Sequence, residues 1–120
     1  MLNLNSIMIG TSDVEKLAAF YEKVFDRKAD MVEGDGQFHG WSVGNTFFSV
    51  GTHSAVTGKN KDAARFIFNI ETKDVKKEFE RIKGVGAEVV KEPYEMGGAW
   101  IATFADPDGN YFQLMTPWKS

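Results

Sequence analysis

Residues 104–115 read FADPDGNYFQLM, and this stretch decides the fold. Asp106-Pro107-Asp108-Gly109 is a turn with a mechanism. Pro pre-sets one φ, Asp bonds back to the backbone, and Gly takes a positive φ. A strand follows, over 110–115. Strand side chains alternate faces, so Tyr111, Gln113 and Met115 share one side, and Phe112 and Leu114 share the other.

Working outward, the chain spells the same series of elements twice. In the first half, Leu4–Thr11 is expected to be a strand with Ile7 and Ile9 on one face. Ser12-Asp13-Val14-Glu15 reads as a capping box with Ser12 at the cap. Val14, Leu17, Ala18, Tyr21, Val24 and Phe25 then mark one apolar helix face. Three strands follow, over 28–33, 37–43 and 46–50. Gly34-Asp35-Gly36 is a hairpin signal, and Gly44-Asn45 separates the last two strands. Residues 51–62 read as a linker.

In the second half, Arg65–Thr72 is expected to be a strand, and Asp74 opens a helix faced by Val75, Phe79 and Ile82. Gly84 and Gly86 end it. Strands at 87–91, 99–105 and 110–115 follow, with Pro93 and Gly97-Gly98 in a loop. Asp13-Val14 matches Asp74-Val75, and Val43-Gly44-Asn45-Thr46-Phe47 matches Asp108-Gly109-Asn110-Tyr111-Phe112. Each half is strand-helix-strand-strand-strand, an internal duplication. We expect an α+β fold in one domain over 1–120, with modules at about 1–55 and 62–120.

One helix covers one face of a sheet. Ile7, Ile9, Phe66, Phe68, Ile70, Phe112 and Leu114 are the expected core. The opposite faces carry Ser6, Met8, Phe48, Val50, Arg65, Ile67, Asn69, Glu71, Tyr111, Gln113 and Met115.

The totals bound the function. A hydrophobic share of 42% argues against disorder, and a net charge of −3 offers no footprint for nucleic acid. No apolar run reaches the ~20 residues of a membrane span. The start lacks the layout of a signal peptide, so a cytoplasmic location is expected. Without cysteine there is no thiolate chemistry. No nucleophile with a His-carboxylate partner is visible.

The duplicated module, the opening Thr11-Ser12-Asp13-Val14 with Phe20-Tyr21, and the closing Phe104-Ala105-Asp106-Pro107-Asp108-Gly109-Asn110 resemble the vicinal oxygen chelate superfamily. That superfamily includes glyoxalase I, bleomycin-resistance proteins and extradiol dioxygenases. The resemblance covers nearly the whole chain. It implies two tandem βαβββ modules forming an open, curled eight-stranded mixed sheet around a cavity, commonly in a homodimer.

In the superfamily's metal-using members each module offers one ligand from its first strand and one from its last. The matching positions here are Ser6, Phe48, Ile67 and Gln113. Two of these lack donor atoms, and the others offer a hydroxyl and an amide. A divalent transition metal wants imidazole, thiolate or carboxylate. The expectation is therefore no metal, no cofactor and no catalytic residue. The cavity would bind a small, partly apolar molecule, as bleomycin-resistance proteins do. Candidate lining residues are Ser6, Met8, His39, Trp41, Phe48, Ile67, Glu71, Trp100, Tyr111 and Gln113. The alternative is a lyase or isomerase of the glyoxalase I type, or a dioxygenase-like enzyme, with unorthodox ligands such as His39 and Glu71. Taken singly, His39, Glu71 and each aromatic also fit ordinary packing or surface roles.

Overall fold

The capping carboxylates set both helices. Asp13 Oδ1 accepts the Lys16 N–H at 3.1 Å, while the Thr11 hydroxyl accepts the Asp13 N–H at 3.0 Å. The same pair of bonds recurs at Asp74, with Lys77 and Thr72. The cap is thus Asp13 and not Ser12. An ionised carboxylate is favoured beside the positive end of a helix, and Thr-x-Asp delivers it in each half.

The computed structural model describes residues 1–117 and divides into two compact units, Met1–Gly58 and Lys59 onward. The first holds β1 (Ser6–Thr11), α1 (Val14–Phe25), β2 (Met31–Glu33), β3 (Phe38–Val43) and β4 (Thr46–Thr52). The second holds a short 3-10 turn (Ala63–Arg65), then β5 (Ile67–Glu71), α2 (Val75–Gly84), β6 (Glu88–Met96), β7 (Ala99–Ala105) and β8 (Tyr111–Met115). Each unit forms its own four-stranded mixed sheet, ordered β1-β4-β3-β2 and β5-β8-β7-β6. In both, the first strand lies parallel to the last, and the remaining pairings are antiparallel. Two tandem βαβββ modules make up the α+β fold.

The turns follow the glycines that the sequence marks. Gly34, Asp35 and Gly36 all take positive φ between β2 and β3. The loop expected around Pro93 is instead part of β6, whose register against β7 shifts between Lys91 and Tyr94. β6 is an edge strand, where a bulge and a missing N–H are tolerated.

In the first unit α1 buries Leu17, Tyr21 and Val24 against its sheet. Tyr21 and Phe25 meet Phe48 at ring distances of 4.7 and 5.2 Å, and Phe25 meets Trp41 at 5.7 Å. In the second unit Phe79 of α2 stacks on Phe104, which stacks on Phe112. Two expectations fail here. Phe48 and Val50 were expected on the face away from the helix, yet both are buried on the α1 side. Phe66 was expected in the core, yet it is 77% exposed. It precedes β5, at the end of the 3-10 turn, so the alternation of that strand does not apply to it.

Gly40 is small for a steric reason. A Cβ built there would collide with the Phe47 ring, which lies over it. Gly40→Ala should destabilise the protein by about 1–3 kcal/mol through overpacking. In urea denaturation, most of that loss should vanish when Phe47→Ala is added. Additive losses would show that the ring is not what excludes the methyl group.

Candidate functional site

In each unit, strand register and alternation settle which residues face away from the helix. In the second unit β5 pairs Ile67 with Tyr111, Asn69 with Gln113 and Glu71 with Met115. β7 pairs Thr103 with Gln113 and Ala105 with Tyr111. Phe112, Leu114 and Phe104 lie on the α2 side, so Ile67, Asn69, Glu71, Tyr111, Gln113 and Thr103 form the open face. At its centre the Gln113 amide Nε2 donates to the Thr103 hydroxyl at 3.1 Å. Thr103 is buried and Gln113 half-buried. That bond fixes the amide on a mixed face, with Ile67 and the Tyr111 ring beside Asn69, Thr103 and Glu71.

In the first unit the open face carries Ser6 and Met8 from β1, Phe47 and Ser49 from β4, and Phe38 and Gly40 from β3. Met8 is 52% exposed. The Ser49 hydroxyl donates to the Ile7 carbonyl at 3.4 Å.

The ten candidate residues therefore divide. Ser6 and Met8 lie on the open face of the first unit, and Ile67, Glu71, Tyr111 and Gln113 on that of the second. His39, Trp41 and Phe48 lie on the helix side of the first sheet, where Trp41 is fully buried. Trp100 lies on the helix side of the second, with Lys76 Nζ of α2 4.0 Å above its ring. His39 lines a cleft of about 600 Å³ beside the start of α1, with Asp13, Glu15, Glu22 and Asp35.

The register also corrects the repeat. Ser6 and Ile67 are the first residues of their strands, and they pair with Phe47 and Tyr111. Phe47 is thus the counterpart of Tyr111, and Ser49, not Phe48, is the counterpart of Gln113. The match of Asn45 with Asn110 is displaced by one residue. Asn69, Thr103 and Ser49 were not among the candidates. Their signal was a lone polar group inside each apolar strand.

A family model for the glyoxalase-like domain matches residues 6–115. The chain belongs to the glyoxalase-like domain family. Solved structures similar to this glyoxalase-like domain extend over nearly its whole length. A glyoxalase/bleomycin resistance protein/dioxygenase family enzyme from Burkholderia phytofirmans is 25% identical, with a TM-score of 0.72, and 96% of this chain and 98% of that one are covered. A protein named only as a conserved domain protein is 24% identical, with a TM-score of 0.80, covering 98% and 100%. The fosfomycin resistance protein FosX from Listeria monocytogenes is 19% identical, with a TM-score of 0.73, covering 98% and 95%. These likenesses place the domain in the vicinal oxygen chelate superfamily. Among curated proteins none matches.

The superfamily's metal can be tested against the residues present. With the register corrected, the four strand positions of the glyoxalase-like domain are Ser6, Ser49, Ile67 and Gln113. They offer two hydroxyls, one amide and one alkyl group. Neither pair, Ser6 with Ser49 in the first unit nor Ile67 with Gln113 in the second, fits a divalent transition metal, because neutral weak donors do not offset its dehydration. Among the described residues no three of His, Asp or Glu cluster as metal ligands. His39 and Glu71, the unorthodox pair, belong to different units and to opposite kinds of sheet face.

Proposed function

We propose that this glyoxalase-like domain binds a small, partly apolar molecule against the open face of its second sheet, without a metal. The observation that carries this reading is the uncharged pair at these strand positions in each unit, Ser6 with Ser49 in the first and Ile67 with Gln113 in the second. It suits hydrogen bonding and apolar contact, and it lacks the charge that a cation requires. Gln113, held by Thr103, supplies the directional polar contact, with Ile67 and Tyr111 as the apolar wall beside it. No described helix is long and apolar enough to cross a membrane. The domain is proposed to work in the cytoplasm as a homodimer.

Calorimetric titration of the untagged protein with zinc and with nickel is expected to show no micromolar binding. Benzamide, a neutral aromatic amide, is expected to shift the Tyr111 and Gln113 amides in NMR titrations. Gln113→Ala should weaken it by about tenfold, the equivalent of one hydrogen bond. Micromolar metal binding that Gln113→Ala abolishes would overturn the proposal in favour of a metal-dependent enzyme.

A further inference from the structure

The second unit has a recess of about 450 Å³ lined by Lys61, Asp62, Ala63, Ala64, Arg65 and Tyr111. Tyr111 also belongs to the open face that carries Gln113, so the recess opens beside that face. The segment that supplies its cations is clamped. The Asn60 N–H donates to the Asp108 carbonyl at 2.8 Å, and its Nδ2 donates to Asn110 Oδ1 at 3.0 Å. Asn60 Oδ1 in turn accepts the Asp62 N–H at 2.9 Å, and the Arg65 N–H donates to the Asp62 carbonyl at 3.0 Å. Gly109 takes φ +81, a left-handed conformation that favours glycine, and the segment passes over it at ordinary contact distance. The linker is thereby docked on the same turn that starts β8.

Two cations and one anion line the recess, a local positive excess in a chain of net charge −3. Asp62 faces Arg65 but leaves the recess one positive charge in excess. Their separation is 3.6 Å with both side chains at least 70% exposed, and such pairs contribute little. Among the described residues Lys61 has no ion-pair partner. Arg65, Lys61 and Tyr111, all lining this recess, carry donor groups suited to an oxyanion.

We propose that this recess takes the anionic end, a carboxylate or phosphate, of the molecule whose apolar part lies on the Ile67, Tyr111 and Gln113 face. The proposal rests on the binding reading above and names its ligand class. Arg65 and Lys61 hold the oxyanion, Tyr111 is shared by both parts of the ligand, and the docked linker presets the geometry.

The test compares three aromatic probes by NMR titration, benzoate, phenyl phosphate and neutral benzamide, with inorganic phosphate as a fourth probe. At least one of the two aromatic anions is expected to bind at least about tenfold more tightly than benzamide, with the preference falling as salt rises. Which anion binds better identifies the class. Amide shifts should include residues 61–65 for the anions and be confined to β8 and its neighbours for benzamide. The pair of changes Lys61→Gln and Arg65→Gln should remove the preference and leave benzamide binding unchanged. Equal binding of all three aromatic probes, or an anion preference that survives the paired change, overturns the anion site while the binding reading stands. Shifts at 61–65 with inorganic phosphate, but none on β8 with any aromatic probe, would leave a bare anion site and sink the binding reading. No shift with any probe sinks both.

Discussion

Trp41→Ala is expected to remove about 3–5 kcal/mol of stability, the usual cost of deleting a large buried aromatic. Trp41 is fully buried on the α1 side of the first sheet. Its ring packs against Phe25 and Phe48 at 5.7 and 6.3 Å, and its Nε1–H donates to the Arg27 carbonyl at 3.0 Å. Alanine would leave a cavity and an unpaired carbonyl together. Against a total stability of about 5–15 kcal/mol for a domain, this is a large share. Trp41→Phe, which keeps a ring and loses the donor, should cost less. Urea denaturation of both variants checks the ranking. A loss below about 1 kcal/mol for Trp41→Ala would mean that the ring lines an open cavity and contributes little to the core.

The second large effect is expected at Asp106. This carboxylate is 5% exposed, and it organises the turn before β8. Its Oδ1 accepts the N–H groups of Asp108 and Asn110, each at 2.9 Å, and its Oδ2 accepts Asn110 Nδ2 at 3.0 Å. One hydrogen bond to a charged acceptor contributes about 1.5–3 kcal/mol, and in a part-buried turn the freed donors regain bonds to water, so the three losses do not add in full. Asp106→Ala should therefore cost about 2–4 kcal/mol. Asp106→Asn keeps one acceptor oxygen and should cost less. Thermal unfolding distinguishes the two. Hydrogen exchange should also quicken at Asp108 and Asn110, and at Asn60, whose contacts depend on that turn. If Asp106→Ala melts with the wild type and exchange is unchanged, the turn is held by its backbone bonds alone.

Both variants mark what could be read from residues and what could not. The helices were legible because Val14, Leu17, Ala18, Tyr21 and Val24 recur at helical spacing after a cap signal, although the sequence pointed to Ser12 and the structure uses Asp13. α2 repeats the pattern with Val75, Phe79 and Ile82. β8 was legible because Phe112 and Leu114 alternate cleanly with Tyr111 and Gln113 after a turn of defined chemistry. The strand β4 was not. Phe47-Phe48-Ser49-Val50 places large apolar groups on both faces, so alternation alone selects neither phase. Aligning Asn45 with Asn110 then placed Phe48 on the wrong side.

A slip of one residue inverts every side chain of a strand, and pairing settles the choice. Sequence alone determined the duplicated βαβββ order, its turns, both apolar helix faces and the open-face position of Gln113. Those depend on local periodicity and on backbone preferences of Gly, Pro and Asp. Tertiary structure alone decided that Phe48 and Trp41 sit under α1, that Ser49 is the partner position of Gln113, and that Gln113 bonds Thr103. It also brought Asn60 onto the 106–110 turn, 50 residues away along the chain at Asn110. Each of these depends on a contact between segments far apart in sequence, and no local pattern encodes the register in which they meet.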